Sequence, residues 1–205
     1  MFDGKLKIHG TDILSAIPEN FDFDCGNASI NDYFNMNARK DTEKHISNAS
    51  VFFNDSNEFV GFYSLAAATV EIKTSYDSKK FKDIPGSNGY MSAEVITYPA
   101  LKVNWFAIDK KFQNKKYGTQ MMFKIFISAY LLSLTANIAI TSIVLDAVDE
   151  AVEFYESLGF EYMHHDYIPG LGDKTFPMMI RMDKVEAIIM RMDLEFPENL
   201  SNWLS

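Results

Sequence analysis

Apolar and polar residues change rhythm several times along the 205-residue chain. A period of two marks strands, and a recurrence near 3.6 marks helices. Lys5 to His9 alternates and predicts a short strand. Ala28 to His45 places Ile30, Tyr33, Phe34 and Ala38 on one side, which predicts one amphipathic helix with Ser29 as its cap. Ser50 to Phe53 and Phe59 to Val70 are β-rich. The turn formers Asn54, Asp55, Ser56 and Asn57 join them into a hairpin. Thr74 to Asn88 is polar and lysine-rich and reads as a loop or short helix. Leu101 to Ile108 is bulky and largely uncharged, as in a buried strand. Tyr117 to Thr135 is a long apolar helix, and Ala139 to Leu145 a further apolar strand. Asp149 to Leu158 reads as a helix with acids in its first turn and Gly159 just past its end. Phe160 to Tyr167 and Phe176 to Met182 complete the strands.

The order is strand, helix, hairpin, then strand–helix–strand–helix–strand–strand. A strand that returns through a helix implies a right-handed parallel crossover, and the hairpins imply antiparallel neighbours. The fold class is therefore α/β (α+β mixed). Its central sheet is mixed and mostly antiparallel, with helices on both faces. One domain over 1–205 is expected, with 185–205 as a C-terminal extension. "MIRMDK" at 179 is echoed by "IMRMDL" at 189, which reads as a repeated strand, a helix or chance. The extension carries Ile188, Ile189, Met190, Phe196 and Trp203. Either it forms a homodimer interface or it folds back on its own sheet.

Composition narrows the function. The apolar fraction of 47% supports a sizeable core. Phe123 to Leu134 is too short and too polar to span a bilayer, and residues 1–10 lack a secretory apolar region. A lone Cys25 fits a reducing compartment, so a cytoplasmic protein is expected. The net charge of −9 argues against a broad nucleic-acid surface. That charge is uneven: residues 102–124 hold six lysines and one acid, while 141–205 hold thirteen acids and four bases. A local positive region in an acidic chain suits a small anionic ligand.

The lysines cluster around "QNKKYGTQMM", residues 113–122, where the strand 101–108 runs through Asp109-Lys110-Lys111-Phe112 into the long helix. Unpaired amides and the dipole make a helix start an anion site, and Gly118 allows close approach. A solvated lysine-rich surface is the competing reading. His164-His165 has no metal-ligand company nearby. Cys25 is read as a packed thiol before an acyl carrier.

"FAIDKKFQNKKYGTQMM" followed by "FYESLGF" resembles the GNAT acetyltransferase superfamily. Gln113, Lys116 and Gly118 stand at the marked positions of its Arg/Gln-x-x-Gly-x-Gly/Ala loop, with Lys116 in place of the first glycine. Phe154-Tyr155 and Gly159-Phe160 match its FYxxxGF signature. "FDCG" (23–26) and "VGFYSLAAATV" (60–70) resemble the acetyltransferase toxins of toxin–antitoxin modules and their non-toxin relatives. The resemblance covers roughly 5–182.

This resemblance implies an N-acetyltransferase that moves the acetyl group of acetyl-CoA to a primary amine of a small molecule or protein. The co-substrate would lie between the fourth and fifth strands. Its diphosphate would sit on Gln113, Asn114, Lys115, Lys116, Tyr117, Gly118 and Thr119, and its pantetheine arm along Phe106, Ala107 and Ile108. Tyr155 would be the general acid for the departing thiolate, and the Ile108 N–H the oxyanion donor. Some relatives carry a base glutamate where this chain has Lys102, so Glu94, then Glu71 or water, is the candidate base. Tyr63 and Ser64 either line the acceptor groove or pack. Acetylation of aminoacyl-tRNA, helped by Lys73, Lys79, Lys80, Lys82 and Lys102, stays open beside a non-catalytic module that binds CoA or a partner.

Overall fold

The computed structural model describes residues 8–16, 23–73, 95–163 and 175–191. In chain order the elements are β1 (Ile8–Asp12), α1 (Ile13–Ala16), α2 (Ala28–Met36), α3 (Ala38–Glu43), β2 (Asn48–Asn54), β3 (Phe59–Lys73), β4 (Val95–Ile108), α4 (Tyr117–Thr135), β5 (Ser142–Ala147), a 3-10 turn (Asp149–Ala151), α5 (Val152–Ser157), β6 (Glu161–Tyr162), β7 (Phe176–Arg181) and α6 (Met182–Arg191). The strands form a seven-stranded sheet in the order β1-β2-β3-β4-β5-β7-β6. The pairs β1/β2, β2/β3, β5/β7 and β6/β7 are antiparallel. This is the mixed, mostly antiparallel architecture that the pattern predicts.

Contacts divide the chain into two compact units. The first comprises Met1–Ala66, Val103–Ile138 and Asp183–Ser205. In it, alternation along β2 sends Ala49 and Val51 to one face and Ser50 and Phe52 to the other. The first face joins Phe62, Tyr33, Phe34, Ala38 and Phe23 in an aromatic core under α2 and α3. Tyr33 stacks on Trp105 with 4.3 Å between ring centroids. On the second face Tyr63 packs on Phe52, and its hydroxyl bonds to Ser50 and to Ser128 of α4. Helices therefore cover both faces. Helix α4 buries Met121, Met122, Phe123, Ile125, Phe126 and Ile127, an almost unbroken apolar run that only a helix enclosed on nearly all sides tolerates.

The region 28–45 is two helices rather than one. Asn27, extended at φ −112° and ψ 115°, is the N-cap, and its side chain accepts the Ile30 N–H at 3.3 Å; Ser29 lies inside the first turn. Asn37 leaves helical geometry at φ −121° and breaks the run. The kink keeps Ala38 and Thr42 buried. Thr42 Oγ1 donates to Ala38 O and accepts from Ala49 N, which ties α3 to β2. Periodicity alone does not register such a break.

The second unit comprises Ala67–Lys102 and Ala139–Met182. Val70, Ala100, Val144 and Met179 form its core cluster. β5 pairs β7 from Ser142↔Arg181 to Ala147↔Phe176. Thr141 pins the entry to β5, since both its N–H and its hydroxyl donate to Pro99 O. The strand thus starts at Ser142, three residues later than expected, because 139–141 form its anchoring approach.

The two "RMD" stretches are not equivalent. The first spans the junction from β7 to α6, and Arg191 of the second ends α6. α6 buries Met182, Val185 and Ile189 at helical spacing and leaves Met190 exposed, so 182–191 packs on its own chain. Residues 5–7 of the first expected strand, the 74–88 segment up to Asn88, and Phe196 and Trp203 lie outside the described residues.

Candidate functional site

The end of β4 is held from two sides within the first unit. On the β3 side Asp109 N donates to Val60 O at 2.8 Å. Gly61 makes this approach possible. A Cβ there would fall inside contact distance of Ala107 O and reach 3.0 Å from Ile108 Cα. On the other side the buried Asp109 carboxylate accepts Lys111 N at 2.9 Å and Asp24 N at 3.4 Å, turning the chain after the strand. Lys110 N donates to Asp24 O at 2.9 Å, and its ammonium pairs with the Asp24 carboxylate. Asp24 also accepts the Gly26 N–H and the Asn31 side-chain amide. The Lys110 bond leads these contacts in holding the Asp24 carboxyl well down, to about 2.

The loop that follows has a distinctive backbone. Asn114 (φ 59°) and Lys116 (φ 64°, ψ 10°) both adopt the left-handed conformation. Lys116 is the N-cap of α4 and takes the shape a glycine would adopt, so the replaced glycine leaves the loop geometry intact. Among the described residues no acceptor meets the first-turn amides of Tyr117, Gly118 and Thr119; the next, Gln120 N, donates to Lys116 O at 3.2 Å. Successive amides in left-handed turns at a helix start form an anion-binding concavity. The Lys115 ammonium lies 5.3 Å from the centre of the Phe112 ring, which in turn meets Tyr117 edge-on. The Gln113 side chain points elsewhere: its amide donates to Cys25 O at 2.8 Å and to Ile108 O at 3.1 Å. Gln113 to Lys116 are exposed, Tyr117 to Thr119 half-buried. Phe106 and Ile108 are half-buried, and Ala107 belongs to the aromatic core.

Tyr155 lies in the second unit, on α5. It is buried between Phe154 and Phe160, at centroid distances of 5.1 and 5.6 Å. Burial pushes its phenol well above the ordinary value near 10, so it stays protonated. The segment is locked by its own end. Gly159 (φ 94°) donates to Glu156 O at 2.9 Å and Phe160 N to Tyr155 O at 3.1 Å, the two bonds of a Schellman cap. The glycine and phenylalanine of FYESLGF thus fix the turn that presents the tyrosine.

Several sequence candidates resolve. Lys102 is paired with Asp146 of β5 at 2.8 Å. Tyr63 and Ser64 are buried in the first unit. Cys25 is half-buried, its thiol donates to Asn31 Oδ1 at 3.1 Å, and burial raises it, so it is a packed thiol. Glu71 is exposed on β3. Glu94, His164, His165, Lys79, Lys80 and Lys82 lie outside the described residues, as does the side chain of Lys73. Among the described residues no group of three His, Cys, Asp or Glu is placed to hold a metal ion. Among the described residues no helix is long and apolar enough to cross a membrane. Sequence reasoning missed Gly61 and the Asp24–Lys110 pair. The first looks like any strand glycine, and the pair joins residues 86 positions apart.

The family model for an acetyltransferase (GNAT) domain matches residues 77–162. No curated protein matches the chain in sequence. Among solved structures, one described as a bacterial toxin has a TM-score of 0.70 at 16% identity, covering 89% of this chain and 95% of its own. A mutant AtaT toxin bound to the C-terminus of the antitoxin AtaR and acetyl-CoA has a TM-score of 0.61 at 17% identity, covering 89% and 98%. AtaT complexed with acetyl-methionyl-tRNAfMet has a TM-score of 0.63 at 18% identity, covering 89% and 99%. At these identities the likeness is one of fold. Residues 77–162 thus match an acetyltransferase (GNAT) domain, and the chain shares the fold of these toxin structures.

Proposed function

We propose that this chain is an N-acetyltransferase that uses acetyl-CoA and transfers the acetyl group directly to a primary amine. The carrying observation is the pair of left-handed residues, Asn114 and Lys116, heading α4 with the amides of Tyr117, Gly118 and Thr119 open to an anion. In this reading those amides, with Gln113 to Lys116, receive the CoA diphosphate. The backbone of Phe106, Ala107 and Ile108 pairs with the pantetheine amides, which need partners once buried. The amine nitrogen attacks the acetyl carbonyl carbon, and the Ile108 N–H stabilises the oxyanion. The C–S bond then breaks, and the thiolate takes the Tyr155 proton while the amine loses its own to Glu94 or water. A phenol held protonated by burial suits that donor role.

The acceptor has two readings. One is the primary amine of a small molecule or protein, which the net charge of −9 favours. The other is the α-amino group of aminoacyl-tRNA, supported by the fold shared with AtaT, whose complex holds acetyl-methionyl-tRNAfMet. An antitoxin-like partner belongs with this second reading. Calorimetric titration with acetyl-CoA tests the core of the proposal: one-to-one binding in the micromolar range is expected. A folded protein that does not bind would overturn it. Label transfer from acetyl-CoA to charged tRNA, set against a panel of free amines, then separates the acceptors.

A further inference from the structure

The segment 23–31 and the loop 109–113 are far apart in sequence yet are joined by a chain of polar contacts. Lys110 N donates to Asp24 O, the Lys110 ammonium pairs with the Asp24 carboxylate, Asp24 N donates to Asp109 Oδ2, and the Gln113 amide donates to Cys25 O. The set extends into the first turn of α2. Asn31 Nδ2 donates to Asp24 at 2.9 Å, and Asn31 Oδ1 accepts Cys25 N at 3.0 Å. Gln113 closes it on the strand by donating also to Ile108 O. Gln113 bonds to Cys25 and to Ile108, Asp109 to Lys111 and to Asp24, and Asp24 to Lys110 and to its own turn, so the two segments constrain each other.

From this network we infer that Asp24, Lys110 and Gln113 are positioning residues. They clamp the head of the anion loop against the α2 segment and so set the affinity for the acetyl-CoA diphosphate. The inference rests on the functional reading above. Two physical points carry it. Gln113 stands beside the left-handed Asn114 and spends its side chain on Cys25 and Ile108, so that side chain acts through loop geometry and leaves the backbone to meet phosphate. Ligand amides are useful only when already aimed, because ordering a free loop on binding costs affinity. The Asp24–Lys110 pair is partly exposed, at 40% and 58% of the side chains, so on its own it is a modest restraint. Its effect comes from linking backbone groups on both sides.

The test uses Asp24→Ala, Lys110→Met and the exchanged pair Asp24→Lys/Lys110→Asp in the full chain. Hydrogen exchange without ligand is the first readout. Both single variants should exchange faster at 111–119, with the rest of β3 and α4 unchanged. Kinetics with acetyl-CoA is the second. KM should rise roughly threefold for Lys110→Met and about tenfold for Asp24→Ala, which loses three accepted bonds, with kcat within about twofold. The exchanged pair should recover about threefold of the KM loss, the share owed to the ion pair, since a lysine at position 24 cannot accept the Gly26 and Asn31 bonds. A merely structural role would lower kcat, KM affinity and global exchange protection together. Unchanged loop exchange in Asp24→Ala overturns the clamp. A wild type that does not bind acetyl-CoA overturns the functional reading instead, with the exchange data still judging the clamp.

Discussion

Replacing Lys116 separates two accounts of the anion loop. If the loop needs glycine chemically, lysine at this position has damaged it. If it needs only the left-handed backbone, lysine keeps the site at a cost in stability. The structure favours the second, since Lys116 sits at φ 64° and ψ 10° and caps α4. A non-glycine residue in this region costs about 1–2 kcal/mol. Glycine removes that cost but gains unfolded-state freedom worth about 0.4–1 kcal/mol. Lys116→Gly should therefore be stabilising by about 1 kcal/mol or less, raising Tm by up to ~4 °C in a chain of this size. The lost charge is exposed and screened, so acetyl-CoA affinity should fall no more than about threefold at physiological salt. Lys116→Val has the opposite effect. A β-branched residue resists this backbone, so the cap must rearrange at a cost of about 1–3 kcal/mol, and the amides behind it are re-aimed. Differential scanning calorimetry and acetyl-CoA titration on both variants form the assay. Equal Tm and equal affinity for Gly and Val would show that the backbone at Lys116 does not shape the site.

Two other perturbations probe the strand and the acid. Gly61→Ala would push a methyl group into Ala107 O and Ile108 of the neighbouring strand, where backbone cannot yield cheaply. A loss of about 1–3 kcal/mol in urea unfolding is expected, with weakened acetyl-CoA binding; unchanged stability would mean that β3 and β4 do not pack this closely. Tyr155→Phe should cut kcat at least a hundredfold while leaving acetyl-CoA affinity within about threefold. Because burial raises the phenol, its protonated form persists through its ordinary value near 10, so the wild-type rate should show no alkaline decline owed to Tyr155 below that pH. Its folded stability is likewise lost only as pH rises above that value. An alkaline limb near pH 8 that disappears in the phenylalanine variant would contradict this assignment.

What could be read from the chain depended on the range of the interaction. Helix α4 was legible to the residue, Tyr117 to Thr135, because its apolar run and its lysine-rich start are local signals. So was the Gly159 cap, which needs only a glycine at the right distance from Phe154-Tyr155. The β2–β3 hairpin followed from Asn54, whose side chain accepts the Ser56 and Glu58 amides across the turn. The break at Asn37 was not legible, because the apolar spacing of Tyr33, Phe34 and Ala38 survives it. Nor was the choice of Asn27 over Ser29 as cap, since both are good cap formers and only the backbone decides. In the candidate site, Gln113, Lys116 and Gly118 were marked by the resemblance to the GNAT loop. Their distinct tasks were hidden, since Gln113 reaches Cys25, 88 positions away.

That division bears on how the site works. The parts legible in sequence are those that would touch the co-substrate: a helix start, a turn of lysines, a tyrosine in an aromatic context. The parts that were not legible hold these in place through contacts remote in sequence: Gly61 against Ala107, Asp24 against Lys110, Gln113 against Cys25. An anion loop with two non-glycine residues in the left-handed region is strained where it stands, and strain persists only when its surroundings over-determine the geometry. The clamp and the close β3–β4 approach supply that constraint. Lysine in place of glycine at 116 is then tolerable because the neighbouring chain, rather than the residue's own freedom, fixes the turn.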